Sequence, residues 1–174
     1  MEILYKKNHS KIHSCRRAGF TLVEVLVACA IISVSIFALM NAATKGIQLS
    51  NQALRQTQAS FLLEEGAEAV KSIRDASWAT ISGLTAGTNY YLTFNTGTNT
   101  WSLGTTPVAI TDGLFTRIVV LSAVSRDAND DIVTSGGTYD DTRTKKITVT
   151  VSWPLSDAST SSKDLSFYIS DIFN

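Results

Sequence analysis

RRAGFTLVEVLVACAII, residues 16–32, sets one acidic side chain, Glu24, inside an apolar run that begins at Phe20. The run continues to Met40. As a helix rising about 1.5 Å per residue it would reach roughly 30 Å, the thickness of a bilayer's hydrocarbon core. An ionisable side chain near the middle of such a segment costs about 2.5–3.5 kcal/mol, and less toward an interface. A plain membrane anchor has no use for one. Glu24 therefore needs a partner.

Charge is unevenly spread around this run, although the 174-residue chain is formally neutral. Residues 1–19 carry Lys6, Lys7, Lys11, Arg16 and Arg17 against Glu2 alone, and the remainder carries 10 basic and 14 acidic side chains. Positive charge ahead of a spanning segment keeps that end in the cytoplasm. The acidic remainder would lie across the membrane, and it shows no basic patch suited to nucleic acid. The length allows one modest domain plus an anchor.

The junction resembles the N-terminus of type IV prepilins and of the pseudopilins of type II secretion. Gly19, Phe20, Thr21, Leu22, Val23 and Glu24 match that motif position by position, behind a basic leader. The resemblance covers roughly residues 14–45. It implies cleavage by a prepilin peptidase between Gly19 and Phe20, N-methylation of Phe20, and registration of subunits through Glu24 and Phe20. It also implies other pilin or pseudopilin subunits as partners, with an assembly platform and motor ATPase, and no cofactor. The expected location is single-pass in the inner membrane with the leader in the cytoplasm, then an extracytoplasmic filament. Many major pilins carry a disulfide near the C-terminus. Here the two cysteines are Cys15 and Cys29, so a minor pilin or pseudopilin is favoured.

The helical pattern continues past the apolar run. No proline occurs between residues 41 and 78, and Ala59, Leu62, Leu63, Gly66, Ala69, Val70 and Ile73 recur in steps of three and four. Gln56, Glu64, Glu65, Glu68, Lys71 and Arg74 fall mostly on the other side. A single helix over residues 20–75 would measure roughly 80 Å. Gly46 and Gly66 are weak points for a bend. The family often has Gly and Pro where Ser33 and Asn41 stand here.

Beyond Trp78, Gly, Thr, Ser and Asn dominate. Residues 90–95 and 100–103 flank a Thr-Gly-Thr-Asn turn and read as a hairpin. Residues 115–125, 146–153 and 165–169 read as strands; Ile147, Val149, Val151 and Trp153 alternate with Thr148, Thr150 and Ser152. Residues 126–143 read as an exposed loop with a short strand around Ile132. The expected fold is α+β: a long N-terminal helix, half apolar and half amphipathic, packed on an antiparallel sheet of four or five strands. The expected divisions are a leader (1–19), a spanning or filament-core half-helix (20–40), an amphipathic half-helix (41–78) and a sheet-built head (79–174).

Glu24 could simply cap free amides in the first helical turn, where the dipole favours negative charge. Leu26-Val27-Ala28-Cys29 resembles a lipobox, which would make the chain a membrane-anchored lipoprotein or binding module lipidated at Cys29. Against that, Glu24 would sit in the signal's apolar core, and mostly apolar residues follow the cysteine. Asp127, Asn129, Asp130 and Asp131 form an acidic turn whose clustered oxygens could hold calcium, as some pseudopilins do, but the spacing departs from an EF-hand and no Glu closes it, which favours a solvated loop. Both histidines, His9 and His13, precede Phe20, which removes His-based triads and ordinary His zinc sites from a trimmed chain. No enzyme is expected.

Overall fold

The computed structural model describes residues 19–110, 113–155 and 158–172. The leader's charged residues and Cys15 lie outside the described residues. Helix α1 runs Leu22–Ala76. Its start follows from the sequence Thr-Leu-Val-Glu: the Thr21 carbonyl accepts the Glu24 and Val25 amides at 3.0 and 3.2 Å, closing the first turn. It ends at Ser77, whose backbone is extended, and the short helix α2 (Trp78–Ser82) follows. Neither Gly46 nor Gly66 interrupts α1.

The chain divides into two compact units, one up to Gln48 and one from Leu49 onward. Within the described part of the first unit there is helix with every side chain exposed. Four polar side chains in this apolar stretch each donate a hydrogen bond within the helix. Ser33 donates to the Cys29 carbonyl, Ser35 to Ile31, Asn41 to Phe37 and Thr44 to Met40, at 2.8–3.0 Å. Each bonds back one turn, so the helix takes up one donor from each. Ser33 and Asn41 thus stand in unbroken helix.

The second unit packs the rest of α1 on an antiparallel sheet. Its strands are β1 (Asn89–Asn95), β2 (Thr100–Gly104), β3 (Ala109–Ile110), β4 (Phe115–Arg126), β5 (Ile132–Val133), β6 (Tyr139–Pro154) and β7 (Thr160–Ser170). The order is β2-β1-β4-β6-β7, with the two-residue strands β3 and β5 also on β4. The main path therefore has five strands, where four or five were expected, and two short additions make seven.

Alternation decides which face is covered. Phe115, Val119 and Leu121 on β4 and Ile147, Val149, Val151 and Trp153 on β6 are buried, as is Ile169 on β7. Register sets Val119 opposite Val149 and Leu121 opposite Ile147, so these side chains form rows. The helical stripe completes the core: Ala59, Leu63, Gly66, Ala67, Ala69, Val70 and Ile73 are its buried positions. Each large aliphatic side chain so enclosed contributes about 1.5–3 kcal/mol of transfer free energy. Gly66 permits the approach. A Cβ there would stand 2.9 Å from Val149 Cγ1 and 3.0 Å from Arg117 Cδ, so this glycine is a packing position rather than a bend.

The stretch between β4 and β6 differs from expectation. Tyr139–Pro154 is one strand, and its first residues pair with β4, Asp141 opposite Val124 and Tyr139 opposite Arg126. Polar side chains hid the start of that strand because none of residues 139–143 is buried. The register jumps between Ala123, opposite Lys145, and Val124, opposite Asp141, which leaves residues 142–144 as a bulge. β5, at Ile132, falls where the short strand was expected.

Candidate functional site

The first site is the start of α1. Gly19 and Phe20 are exposed and precede the helix, and Phe20 is 82% exposed. Thr21 and Glu24 form a reciprocal capping box: the Thr21 amide donates to Glu24 Oε2, and the Glu24 amide donates to Thr21 Oγ1, each at 3.4 Å. The bland reading of Glu24 is thus realised in the isolated chain. Both bonds are at the long end of the useful range, so the carboxylate keeps capacity for a stronger donor. The Thr-x-x-Glu spacing is a capping signature, and it was available in the sequence. Cys29 is exposed in mid-helix, and its carbonyl accepts the Ser33 hydroxyl.

Behind this junction the side chains of Leu22, Val23, Leu26, Ile31, Val34, Phe37, Leu39 and Met40 are exposed by more than half. Apolar surface of that extent marks a membrane or protein contact. Among the described residues, α1 is the one helix long and apolar enough to cross a membrane.

The acidic turn is organised by its own backbone. Asp127 Oδ1 accepts the amides of Asn129 and Asp131 at 2.8 and 2.9 Å, and the Asp127 amide donates to the Asp131 carbonyl. Asp130 takes the Tyr139 hydroxyl, and its carbonyl takes Arg126 Nη1 at 2.7 Å. Hydrogen bonding to Asp130 raises the Tyr139 hydroxyl above its ordinary value. Among the described residues, no group of three His, Cys, Asp or Glu side chains is arranged to hold a metal ion.

Next to the turn lies a shallow groove of about 290 Å³, lined by Arg126, Asp130, Tyr139, Asp141, Arg143 and Thr144 among others. Arg126 Nε pairs with Asp141 Oδ2 at 2.7 Å. Asp141 Oδ1 also accepts the Arg143 and Thr144 amides at 2.8 and 3.1 Å, which closes the bulge. Burial alone would raise the Asp141 carboxyl, but hydrogen bonds from Thr144, Arg126 and Arg143, with the Arg126 charge, lower it to about 2. This is a clamp on the loop, built from groups that satisfy one another.

A second arginine was missed in the sequence. Arg117 lies on the inner face of β4, 4% exposed, with Nη1 donating to the Leu62 carbonyl at 3.0 Å and to Glu65 Oε2 at 2.9 Å. Its guanidinium sits 5.5 Å from the centre of the Trp101 ring. It ties helix, strand and hairpin together inside the head. Its position in the inward series Phe115, Arg117, Val119, Leu121 was the available signal.

With this geometry in hand, comparison with known proteins bears on the start of α1. Residues 14–40 match the family model of the prokaryotic N-terminal methylation motif, the leader signature of type IV prepilins and pseudopilins. The match supports a type IV pilin-like protein, and the proteins that carry this motif are structural subunits that are not typically enzymes. The motif implies processing by a prepilin peptidase and assembly with other pilins. The curated proteins and the solved structures compared with the chain gave no match.

Proposed function

We propose that the chain is a minor pilin or pseudopilin, a structural subunit of a type IV pilus or of a type II secretion pseudopilus. The observation that carries this reading is the methylation-motif match lying directly on the exposed Gly19–Phe20 junction and on Glu24 in the first helical turn. Residues 1–19 are the leader, removed after Gly19, and Phe20 is then N-methylated. Residues 20–40 are the membrane and filament-core segment, 41–78 the amphipathic half-helix, and 79–174 the head. The leader lies in the cytoplasm until processing, and the subunit then moves into an extracytoplasmic filament driven by a motor ATPase on an assembly platform.

Cleavage would create a cationic amine at Phe20, four residues from Glu24. Two charges of opposite sign in a low-dielectric surrounding are costly apart and tolerable together. The weak capping bonds of Glu24 are those a terminal amine, on the same or a neighbouring subunit, would outcompete. Mass spectrometry of the mature protein tests the reading. Methylated Phe20 at the N-terminus is the expected result. An intact first nineteen residues, or an acylated Cys29, would overturn it in favour of an uncleaved anchor or a lipoprotein. Glu24→Ala should still be inserted and cut, yet fail to enter filaments; normal filaments from that variant would remove the pairing role.

A further inference from the structure

Between Phe20 and Leu54 the chain carries two charged side chains, Glu24 and Lys45. They are opposite in sign, both exposed, and neither has an ionic partner among the described residues. Both lie in the first compact unit, on continuous helix. Their separation of 21 residues corresponds to an axial rise of roughly 31 Å. A chain cannot fold that distance away, so Glu24 and Lys45 of one subunit never meet. Three heptads separate them, and the helix drifts only about 20° per heptad, so they lie within roughly 60° of each other around the axis. The side chains between them are uncharged and cover roughly one hydrocarbon thickness.

From this pattern we infer that Glu24 of one subunit pairs with Lys45 of a second copy of this chain, displaced along the helix axis by about 31 Å. The inference rests on the assembly reading above and names a second contact for its acidic residue. In the membrane the two charges would mark the two interfaces, each in contact with water. A subunit lifted out by one bilayer thickness brings its Glu24 level with Lys45 of a copy still spanning. The pair then forms at the step in which the lifted acid loses its own interface. A carboxylate offers two oxygens, so one can take the Phe20 amine and the other the lysine. Insertion in one topology selects a parallel copy: antiparallel neighbours would match the charges as well but would have to cross the membrane in opposite senses.

The test is zero-length cross-linking of full-length subunits in the membrane and in assembled material. Dicyclohexylcarbodiimide, apolar enough to reach a buried carboxylate, joins acid to amine as an amide and itself takes up the departing water. Peptide mass spectrometry should find Glu24 linked to Lys45, necessarily between copies, and Lys45→Gln should abolish that link. Lys45→Glu should lower filament yield by roughly tenfold or more while insertion and cleavage proceed, and Lys45→Arg should retain assembly. Cross-links from Glu24 to the Phe20 amine alone, or wild-type yield from Lys45→Glu, would overturn the inference and leave the assembly reading standing. Wild-type chains that are never cut after Gly19 would overturn both.

Discussion

Replacing Gly66 by alanine sets two known effects against each other, and the structure decides the sign. Alanine is favoured over glycine in a helix interior by about 1 kcal/mol. The new methyl carbon would stand 2.9 Å from Val149 Cγ1 and 3.0 Å from Arg117 Cδ. Neither neighbour is free to move. Val149 is fully buried and stiff at its branched Cβ, and Arg117 is pinned by its bonds to the Leu62 carbonyl and Glu65. Overpacking of this kind costs about 1–3 kcal/mol, so the net should be a loss of roughly 0–2 kcal/mol, centred near 1. Gly46→Ala supplies the control, because nothing stands within 4 Å of its added carbon. Thermal unfolding of the full chain in detergent, followed by Trp fluorescence of the head, reads the first effect. At a few degrees per kcal/mol for a unit of this size, the midpoint should fall by roughly 3–5 °C for Gly66→Ala. Gly46→Ala should leave it unchanged or slightly raised. A midpoint raised by Gly66→Ala would refute the close-approach account of how α1 sits on the sheet.

Three other outcomes follow from the same structure. Glu65→Ala leaves the Arg117 guanidinium buried with the Leu62 carbonyl as the acceptor that remains to Nη1, and should cost about 1–2 kcal/mol in a urea titration, limited because Glu65 is half-exposed. Arg117→Met, which replaces the charge by an apolar chain of similar length, should cost less than Glu65→Ala; a larger loss would show the pair to be net stabilising. The Asp141 carboxyl, near 2 in the folded chain and 3.8 in its ordinary state, contributes stability that is present above about pH 4 and lost as pH falls toward 2. Its contribution is on the order of 1–2 kcal/mol, and Asp141→Asn should flatten that acid limb of the unfolding curve; an unchanged limb would assign the acid loss to other carboxylates.

Much of this fold was legible because burial is one-sided. Ala59, Leu63, Gly66, Ala69, Val70 and Ile73 spell a stripe, and Ile147 to Trp153 spell a face, so period alone placed helix and sheet. The same logic explains the failures. Residues 139–143 belong to β6, yet none of their side chains is buried, so no apolar signal marks them. Arg117 occupies an inward position, but a charged residue breaks the pattern that would announce it, and its acceptors at Leu62 and Glu65 are 55 and 52 residues away. Thr21 and Glu24 are only three apart, and their capping box was readable once the helix start was known. Short-range signals survive in sequence; long-range polar pairings do not.

The first unit raises a sharper physical question than its fold. Exposed Leu, Ile, Val, Phe and Met side chains crowd residues 22–40. Burying one such side chain gains about 1.5–3 kcal/mol, so leaving the whole set in water would outweigh the stability of an ordinary domain. The back-bonded Ser33, Ser35 and Thr44 remove the complementary objection, since each hydroxyl proton is already donated within the helix, and Asn41, just past the run, donates one of its two amide protons in the same way. The segment therefore suits a membrane and a packed fibre about equally well. Moving it from one to the other yields little hydrophobic gain, because lipid tails are as apolar as leucine. Direction and register must come from terms that differ between the two states. In this stretch those terms are side-chain packing and the two charges, with the amine that cleavage would add. That is why substitutions at Glu24 and Lys45 should alter assembly far more than insertion, although they change two side chains among many apolar ones.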